Sequence, residues 1–178
     1  MATNNVKYDY MPKDYYLAKK IGQELFKRQI GGLDIKTQVT LKNNEVYSII
    51  VAIPTLDDID TIKRKVLAVI EELVTVKYNF DLIVNGTGVY KKHGPVGDCG
   101  TTGRKLAVDF YGGNCKIGGG SPWTKDGTKA DLTLNLYARY LALQHIKNNL
   151  QDDEVYCSLA CCIGKQDVVY SLCNKFGE

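Results

Sequence analysis

The chain has 178 residues, 44% of them hydrophobic and 24% charged, which is the composition of an ordinary globular protein long enough to bury a core. No apolar run approaches the roughly 18 to 20 residues of a membrane span, and the polar start MATNNVKYDY is unlike a signal peptide, so we expect a cytoplasmic protein. The six cysteines form no matching Cys-x-x-Cys pairs, which favours reduced, partly buried thiols over disulfides or a zinc site.

Taken in chain order, the first half predicts a helix, a hairpin, a second helix and a short strand. Apolar residues at helical spacing before Gly31-Gly32 predict a helix over about 13–29. Apolar and polar residues alternate in DIKTQVTLK and EVYSIIVAI, on either side of Asn43-Asn44, and this pattern predicts a hairpin with one buried face. Leu56-Asp57-Asp58 opens a second helix with acids in its first turn, and FDLIV predicts a short strand.

The second half repeats this order after a glycine-rich stretch. LAVDF predicts a strand over 106–110, Asp131 begins a helix that runs to about Asn148, and EVYCSLACCI with VVYSLCNKF predicts a hairpin around Gly164-Lys165-Gln166. The order helix, strand, strand therefore occurs twice. It predicts an α+β fold of two related units, each with helices packed on one face of a mixed or antiparallel sheet.

The stretch from Lys91 to Asp131 differs from the rest of the chain in charge and in glycine content. Its 41 residues hold seven cations and four anions, whereas the remaining residues balance at 16 of each. They also hold 10 of the 17 glycines. Because glycine lets backbone amides approach a ligand and cations balance its charge, this composition predicts a small, phosphate-bearing ligand. Nucleic acid is disfavoured, since there is no basic helix and no aromatic residues alternate with the cations.

HGPVGDCGTTGRK, at residues 93–105, places a glycine at every third position four times. Four triplets with one proline cannot nucleate a collagen helix, and a phosphate-binding GxxxxGK[ST] loop is excluded because Gly103 is followed by Arg104-Lys105-Leu106. Two interpretations remain open, a surface loop with solvated charges and a loop that brings Asp98, Arg104 and Lys105 to a ligand. A second glycine cluster, YGGNCKIGGGSPWTKDGTKAD, favours the ligand-binding interpretation, because two loops joined by one short strand can face the same cavity.

The motifs GPVGDCGTTGRK, VDFYGG, GGG, KDGTKAD and YARY closely resemble those of methionine adenosyltransferase, also called S-adenosylmethionine synthetase. ATNN, MPKDYYLAKKI, LDIKTQVTL, NGTG and EVYCSLACCIG extend the resemblance over nearly the whole chain. It implies condensation of ATP with methionine, displacement and hydrolysis of tripolyphosphate, and a fold of three similar α+β domains with active sites between two subunits. Residues 1–93 then correspond to the central domain, and residues 94–178 to the C-terminal domain with its glycine-rich active-site loops.

The resemblance also implies roles for individual residues. The implied ATP contacts are Asp34, Lys36, Tyr90, Asp98, Arg104, Lys105 and Lys125, with Tyr90 stacked on adenine. The four cations among them are implied to stabilise charge during the reaction, namely Lys36, Arg104, Lys105 and Lys125. Asp98 and Lys129 are implied methionine contacts, Asp131 an implied Mg²⁺ ligand, and K⁺ a candidate monovalent cofactor.

For several of these residues an ordinary structural role is an alternative. Lys36 fits an exposed strand lysine, Tyr90 a core aromatic residue and Asp131 a helix cap. His93 stands where the family usually has glycine, His145 falls on a polar helix face, and we expect both to be structural.

The chain also departs from the family pattern. The family's N-terminal domain, with its His-Pro-Asp and Gly-Asp-Gln-Gly motifs, has no counterpart in this sequence, and Val89 and Leu132 replace usual arginines. We therefore expect one subunit of a split synthetase, inactive alone and completed in a symmetric hetero-oligomer by a separately encoded partner with the N-terminal domain. The alternatives are a non-catalytic regulatory or scaffolding subunit and a fragment of a longer enzyme. No nucleic-acid or membrane partner is expected.

Overall fold

A computed structural model places helices and strands in residues 1–74, 79–149 and 151–178, the part of the chain that it describes. In chain order they are β1 Ala2–Thr3, α1 Lys13–Lys27, β2 Lys36–Lys42, β3 Glu45–Ala52, α2 Ile59–Leu73, β4 Asp81–Val84, α3 Leu106–Phe110, α4 Ala130–Asn148, β5 Glu154–Ala160 and β6 Val169–Cys173. Single 3₁₀ turns lie at Val6–Tyr8, Gly94–Val96 and Pro122–Thr124. No helix among these residues has both the length and the apolar character that a membrane crossing requires.

These elements form two compact units. One unit is Lys13–Gly100, and the other joins Met1–Pro12 to Thr101–Glu178. Each unit has its own three-stranded sheet with helices packed against it, so the predicted α+β fold is confirmed. The domain boundary between residues 93 and 94 stays a prediction.

The unit Lys13–Gly100 contains a mixed sheet in the order β2-β3-β4. β2 and β3 form the predicted hairpin, whose turn residues Asn43 and Asn44 have φ angles of 52° and 62°. Asparagine tolerates this left-handed conformation, which a two-residue hairpin turn requires. β3 and β4 are parallel, and α2 makes the crossover between them.

The core of this unit lies between one sheet face and helices α1 and α2. Its fully buried members come from both helices and from β3, and include Leu17, Ile21, Leu25, Ile49, Val51, Ile62, Val66 and Ile70. The helical spacing of these apolar residues confirms both predicted helices. At the start of α2, Asp58 accepts a hydrogen bond from the backbone N–H of Thr61, which caps the helix.

Asn85 joins the ends of the two parallel strands. Its side-chain oxygen accepts from the backbone N–H of Ile53 at 2.8 Å, and its amide donates to the Ile53 carbonyl at 2.9 Å. Asn85 is only 5% exposed, so these two bonds satisfy backbone groups that water cannot reach. The φ angle of Asn85 is 48°, and the following turn closes with a bond from the Gly88 N–H to the Asn85 carbonyl.

The second unit contains an antiparallel sheet in the order β1-β5-β6. Helix α4 packs against this sheet, and Ala142, Ile146, Ala2 and Val155 form a small buried core. The guanidinium of Arg139 on α4 donates to the backbone carbonyls of Met1, Asp9 and Tyr10, which fixes the N-terminal segment on the helix. The predicted hairpin of β5 and β6 is confirmed.

The strand predicted over 106–110 is wrong. These residues form the short helix α3, in which the Asp109 N–H donates to the Lys105 carbonyl and the Tyr111 N–H to the Ala107 carbonyl. Five residues are too few for their apolar pattern to separate helix from strand. A helical turn satisfies its own backbone groups, whereas a strand needs a neighbour, and Val108 is 65% exposed.

Each of the six cysteines is a free thiol, as predicted. Cys99, Cys161 and Cys162 are exposed, however, rather than partly buried. The last two follow the end of β5 at Ala160, so they lie in the loop and not in the sheet.

Replacing Asn85 with alanine is expected to lower the free energy of unfolding of this unit by about 3 kcal/mol, because a buried N–H and a buried C=O lose their partners. Urea denaturation measures this change. Gln23→Ala, which removes an exposed side-chain amide from α1 in the same unit, is the control and should change the free energy by less than about 0.5 kcal/mol. Equal stability of the two variants would contradict the proposed anchoring role of Asn85.

Candidate functional site

In the unit Lys13–Gly100 the structure brings Asp34 and Tyr90 together. Asp34 lies just before β2 with a φ angle of 59°, and its carboxylate accepts a hydrogen bond from the Gly94 N–H. The Tyr90 hydroxyl donates to the Asp34 carbonyl at 3.1 Å, and the Tyr90 carbonyl accepts from the Thr55 N–H at 3.0 Å. Tyr90 is thus held at both its backbone and its hydroxyl. Burial, followed by the Asp34 charge, raises the pKa of Tyr90, so the ring is neutral at pH 7.

Two further predicted residues of this unit are exposed. Lys36 is the first residue of β2, where it is paired in register with Ala52. Asp98 follows the 3₁₀ turn, and its N–H donates to the Gly94 carbonyl at 2.8 Å. Asp98 and Asp34 are therefore both hydrogen-bonded to Gly94, one through its backbone and the other through its carboxylate.

In the other unit, Lys125 and Asp131 form an ion pair beside Gly120. The Lys125 ammonium lies 2.5 Å from the Asp131 carboxylate and also donates to the Gly120 carbonyl. A Cβ atom on Gly120 would lie 1.8 Å from one carboxylate oxygen of Asp131 and 2.0 Å from its Cγ. Only glycine therefore leaves room for this ion pair. The two side chains remain 32% and 45% exposed, so a ligand can reach both.

The two glycine-rich loops meet at Gly103 and Ser121. Gly103 has a φ angle of 82°, and a Cβ atom there would lie 1.7 Å from the Ser121 hydroxyl oxygen. This contact places Arg104 and Lys105, the next two residues, in the loop that packs against the Lys125 loop. The prediction that the two loops can face one cavity stays a prediction, and the segment that joins them is a helix rather than a strand.

An aromatic contact also holds the Lys125 loop. The rings of Phe110 on α3 and Trp123 are stacked with centroids 4.9 Å apart and an angle of 18° between their planes. Trp123 follows the buried Pro122. The contact between the Phe110 and Trp123 rings fastens the loop to α3.

Three of the predicted cations are exposed. Arg104, Lys105 and Lys129 make no side-chain hydrogen bond or ion pair within the described ranges. Lys105 precedes α3 and Lys129 precedes α4, and both use their carbonyls to accept from the first turn of the helix. Their ammonium groups are therefore available to an anion in solution.

The roles of Asn85, Ser121 and Arg139 have no signal in the sequence. Neither apolar periodicity nor composition distinguishes Asn85 of NGTG from a loop asparagine. His145, expected to be structural, is hydrogen-bonded to Asp152 at 2.7 Å.

Nothing in the structure reveals a complete metal site, since no group of three His, Cys, Asp or Glu side chains among the described residues could hold an ion.

Comparison with known proteins gives a consistent similarity. A family model described as S-adenosylmethionine synthetase, C-terminal domain, matches residues 92–178. The S-adenosylmethionine synthase of Mesoplasma florum is 34% identical over 174 residues, covering 91% of this chain and 45% of the relative. That of Acholeplasma laidlawii is 36% identical over 190 residues, covering 95% of this chain and 48% of the relative. The chain thus spans about half the length of the curated relatives it matches.

A solved structure supports the same similarity at the level of the fold. It is described as an unusual S-adenosylmethionine synthetase from Campylobacter jejuni, and it superposes with a TM-score of 0.81 at 28% sequence identity. The match covers 97% of this chain and 50% of that chain. The shared fold therefore includes both compact units.

Gly120→Ala is expected to break the ion pair between Lys125 and Asp131, because the new methyl group would occupy the position of the Asp131 carboxylate. The carboxyl ¹³C signal of Asp131 and the ¹⁵Nζ signal of Lys125 should both move. Gly119→Ala is the matched control, since a Cβ atom at Gly119 meets nothing within 4 Å. Unchanged signals in Gly120→Ala would show that the pair does not depend on this glycine.

Proposed function

Because this chain belongs to the S-adenosylmethionine synthetase family, whose C-terminal domain is matched by residues 92–178, we propose that it forms S-adenosylmethionine from ATP and methionine as one subunit of a split synthetase. The reaction displaces tripolyphosphate, which is then hydrolysed. The observation that carries the proposal is the Lys125 and Asp131 pair beside Gly120, together with the unpaired cations of the neighbouring loop.

The proposed chemistry explains the types of residue in the second unit. Attack of the methionine sulfur on the ribose 5′-carbon needs no covalent enzyme intermediate. It needs the sulfur in line with the leaving oxygen and positive charge where the leaving tripolyphosphate becomes more negative. Arg104, Lys105 and Lys125 are proposed to bind that group. Lys125 has three N–H donors, of which Gly120 and Asp131 occupy two, so one remains for a phosphate oxygen.

Asp131 is proposed to hold Mg²⁺. Its carboxylate supplies the hard oxygen that this ion prefers, and Mg²⁺ commonly takes only one or two protein carboxylates when phosphates complete its coordination. The chemistry of the donor therefore fits, although Asp131 alone is not a complete site. When bound, Mg²⁺ neutralises charge on the polyphosphate. The Asp131 side chain is held in place by Lys125 and by the absence of a side chain at Gly120. K⁺ is proposed as a monovalent cofactor on family resemblance alone.

The first unit is proposed to bind the nucleoside and part of the phosphate chain. Tyr90, held by Thr55 and Asp34, presents a neutral ring for stacking on adenine. The Asp34 carboxylate accepts one bond from Gly94 and keeps further acceptor capacity, while Lys36 supplies a charge for the phosphates. For methionine, the Asp98 carboxylate is suited to bind the substrate's ammonium group, and the Lys129 ammonium is suited to bind its carboxylate.

The proposed partner is a separately encoded subunit that carries the N-terminal domain. The chain spans about half the length of the curated relatives it matches. In this proposal the remaining contacts come from that partner in a symmetric hetero-oligomer. We accordingly propose that this chain is inactive alone. A cytoplasmic location agrees with the substrates ATP and methionine.

Reconstitution tests this proposal. The purified chain is mixed with an N-terminal-domain protein from the same source, ATP, methionine and Mg²⁺, and S-adenosylmethionine is measured. Product from the mixture, with none from either protein alone, is the expected result. A stable complex that forms no S-adenosylmethionine would contradict the proposal.

Lys105→Ala is expected to lower the rate of the reconstituted enzyme by about 10²-fold, by analogy with the loss of other charge-stabilising groups. Lys116→Ala is the control, because Lys116 is an exposed lysine of the second glycine cluster that has no proposed role. Steady-state kinetics and gel filtration give rate and assembly separately. An unchanged rate in Lys105→Ala would instead indicate a non-catalytic regulatory or scaffolding subunit.

A further inference from the structure

A cavity of about 790 Å³ lies within the unit Lys13–Gly100, and none of its lining residues is a proposed contact of ATP, methionine or Mg²⁺. Its walls come from residues 28–32 after α1, from residues 54–57 after β3, from Lys65 on α2, and from Lys91 and His93. A volume of this size is typical of small-molecule sites, which span about 300 to 1,000 Å³. The cavity is thus large enough for a metabolite.

Two glycines form one wall of the cavity by close packing of the backbone. Gly31 has a φ angle of 81°, and a Cβ atom there would lie 2.4 Å from the Ile53 side chain. A Cβ atom on Gly32 would lie within 2.5 to 2.7 Å of three atoms of the His93 ring. The imidazole therefore lies directly on the Gly32 backbone, and any larger residue would displace it.

The charge of the wall is positive. Arg28, Lys65 and Lys91 line the cavity, and Asp57 is the acid among its lining residues. Asp57 is already bound to Lys65 at 2.6 Å. Arg28 is also neutralised, because its guanidinium makes two bonds to Glu72, at 3.0 and 2.6 Å. Lys91 is exposed and has no ion pair within the part of the chain that the structure describes.

His93 adds a second unsatisfied group. Its Nδ1 atom is buried and has no hydrogen-bond partner among the described residues. Buried polar atoms are nearly always bonded, so a side chain that leaves one orphaned calls for a reason other than packing. In the sequence His93 lies between Lys91 and Gly94, whose N–H donates to the Asp34 carboxylate.

We propose that this cavity is a second ligand site, which binds a small metabolite bearing a phosphate or carboxylate group through Lys91, the lining cation that no described acid pairs. The oxyanion would lie against Lys91, the unpaired charge of the wall. The side chains of Ile30 and Leu56, the latter 85% exposed, would contact the apolar part of the metabolite.

The cavity is connected to Tyr90 through one wall residue. Thr55 lines the cavity and donates its N–H to the Tyr90 carbonyl at 3.0 Å. Gly94, next to His93, donates to Asp34. A ligand that moves the 54–57 segment or His93 would therefore change the position of the proposed adenine contact, which makes the site suitable for regulation.

Calorimetric titration of the full chain with inorganic phosphate and, separately, with citrate tests the proposal. At least one anion should bind, and the tighter of the two identifies the ligand as phosphate-bearing or carboxylate-bearing. Lys91→Ala should weaken that affinity about tenfold, because hydrogen bonds to charged groups contribute more than neutral ones. Lys92→Ala, which removes the same charge from an adjacent exposed residue outside the cavity, should leave the affinity within twofold of the wild type.

A Lys125→Ala variant separates this cavity from the proposed synthetase site. Binding that weakens in Lys125→Ala and not in Lys91→Ala would belong to the glycine-rich loops and would overturn the proposal. Binding of neither anion, or equal affinity in Lys91→Ala and Lys92→Ala, would also overturn it. Because the readout is anion binding by this chain, its outcome does not depend on whether the reconstituted enzyme forms product.

Discussion

The two hydrogen bonds between Asn85 and Ile53 determine the geometry of the first unit. They fix the carboxyl ends of the parallel strands β3 and β4, where the chain leaves the sheet in both cases. The segment after β3 then reaches Thr55, whose N–H binds the Tyr90 carbonyl, and the segment after β4 reaches Tyr90 itself. Both the proposed adenine contact and the cavity beside His93 are thus built on loops that one buried amide holds in place.

In the second unit the glycines act mainly through the space that they leave. Gly103 and Gly120 admit Ser121 and Asp131 to positions that any Cβ atom would occupy. A Cβ atom would meet nothing within 4 Å at three other glycines of this unit, namely Gly113, Gly118 and Gly119. The glycine-rich composition therefore has two causes, since some positions permit close packing of charged or polar side chains and others leave the loop surface open to a ligand.

The parts of the fold that were predictable are those with a long, regular pattern. Helices α1 and α2 and both hairpins follow from apolar spacing and from the Asn43-Asn44 turn, because burial on one face repeats over many residues. α3 has five residues and β1 has two, which is too short for any period. Asn85, Ser121 and Arg139 act through single tertiary contacts, and such contacts leave no repeating signal in the sequence.

The exposed cations of the second unit bear on the choice between the proposed synthetase subunit and a scaffold. Lys125 is stabilised by Asp131, but Arg104, Lys105 and Lys129 have no partner in the part of the chain that the structure describes. Like charges in neighbouring loops repel one another, so this arrangement contributes nothing to folding. A scaffold would gain stability by losing these charges, whereas a subunit that binds a polyphosphate needs them where its negative charge accumulates. The proposed binding of a polyphosphate therefore accounts for charges that a role in assembly alone would not require.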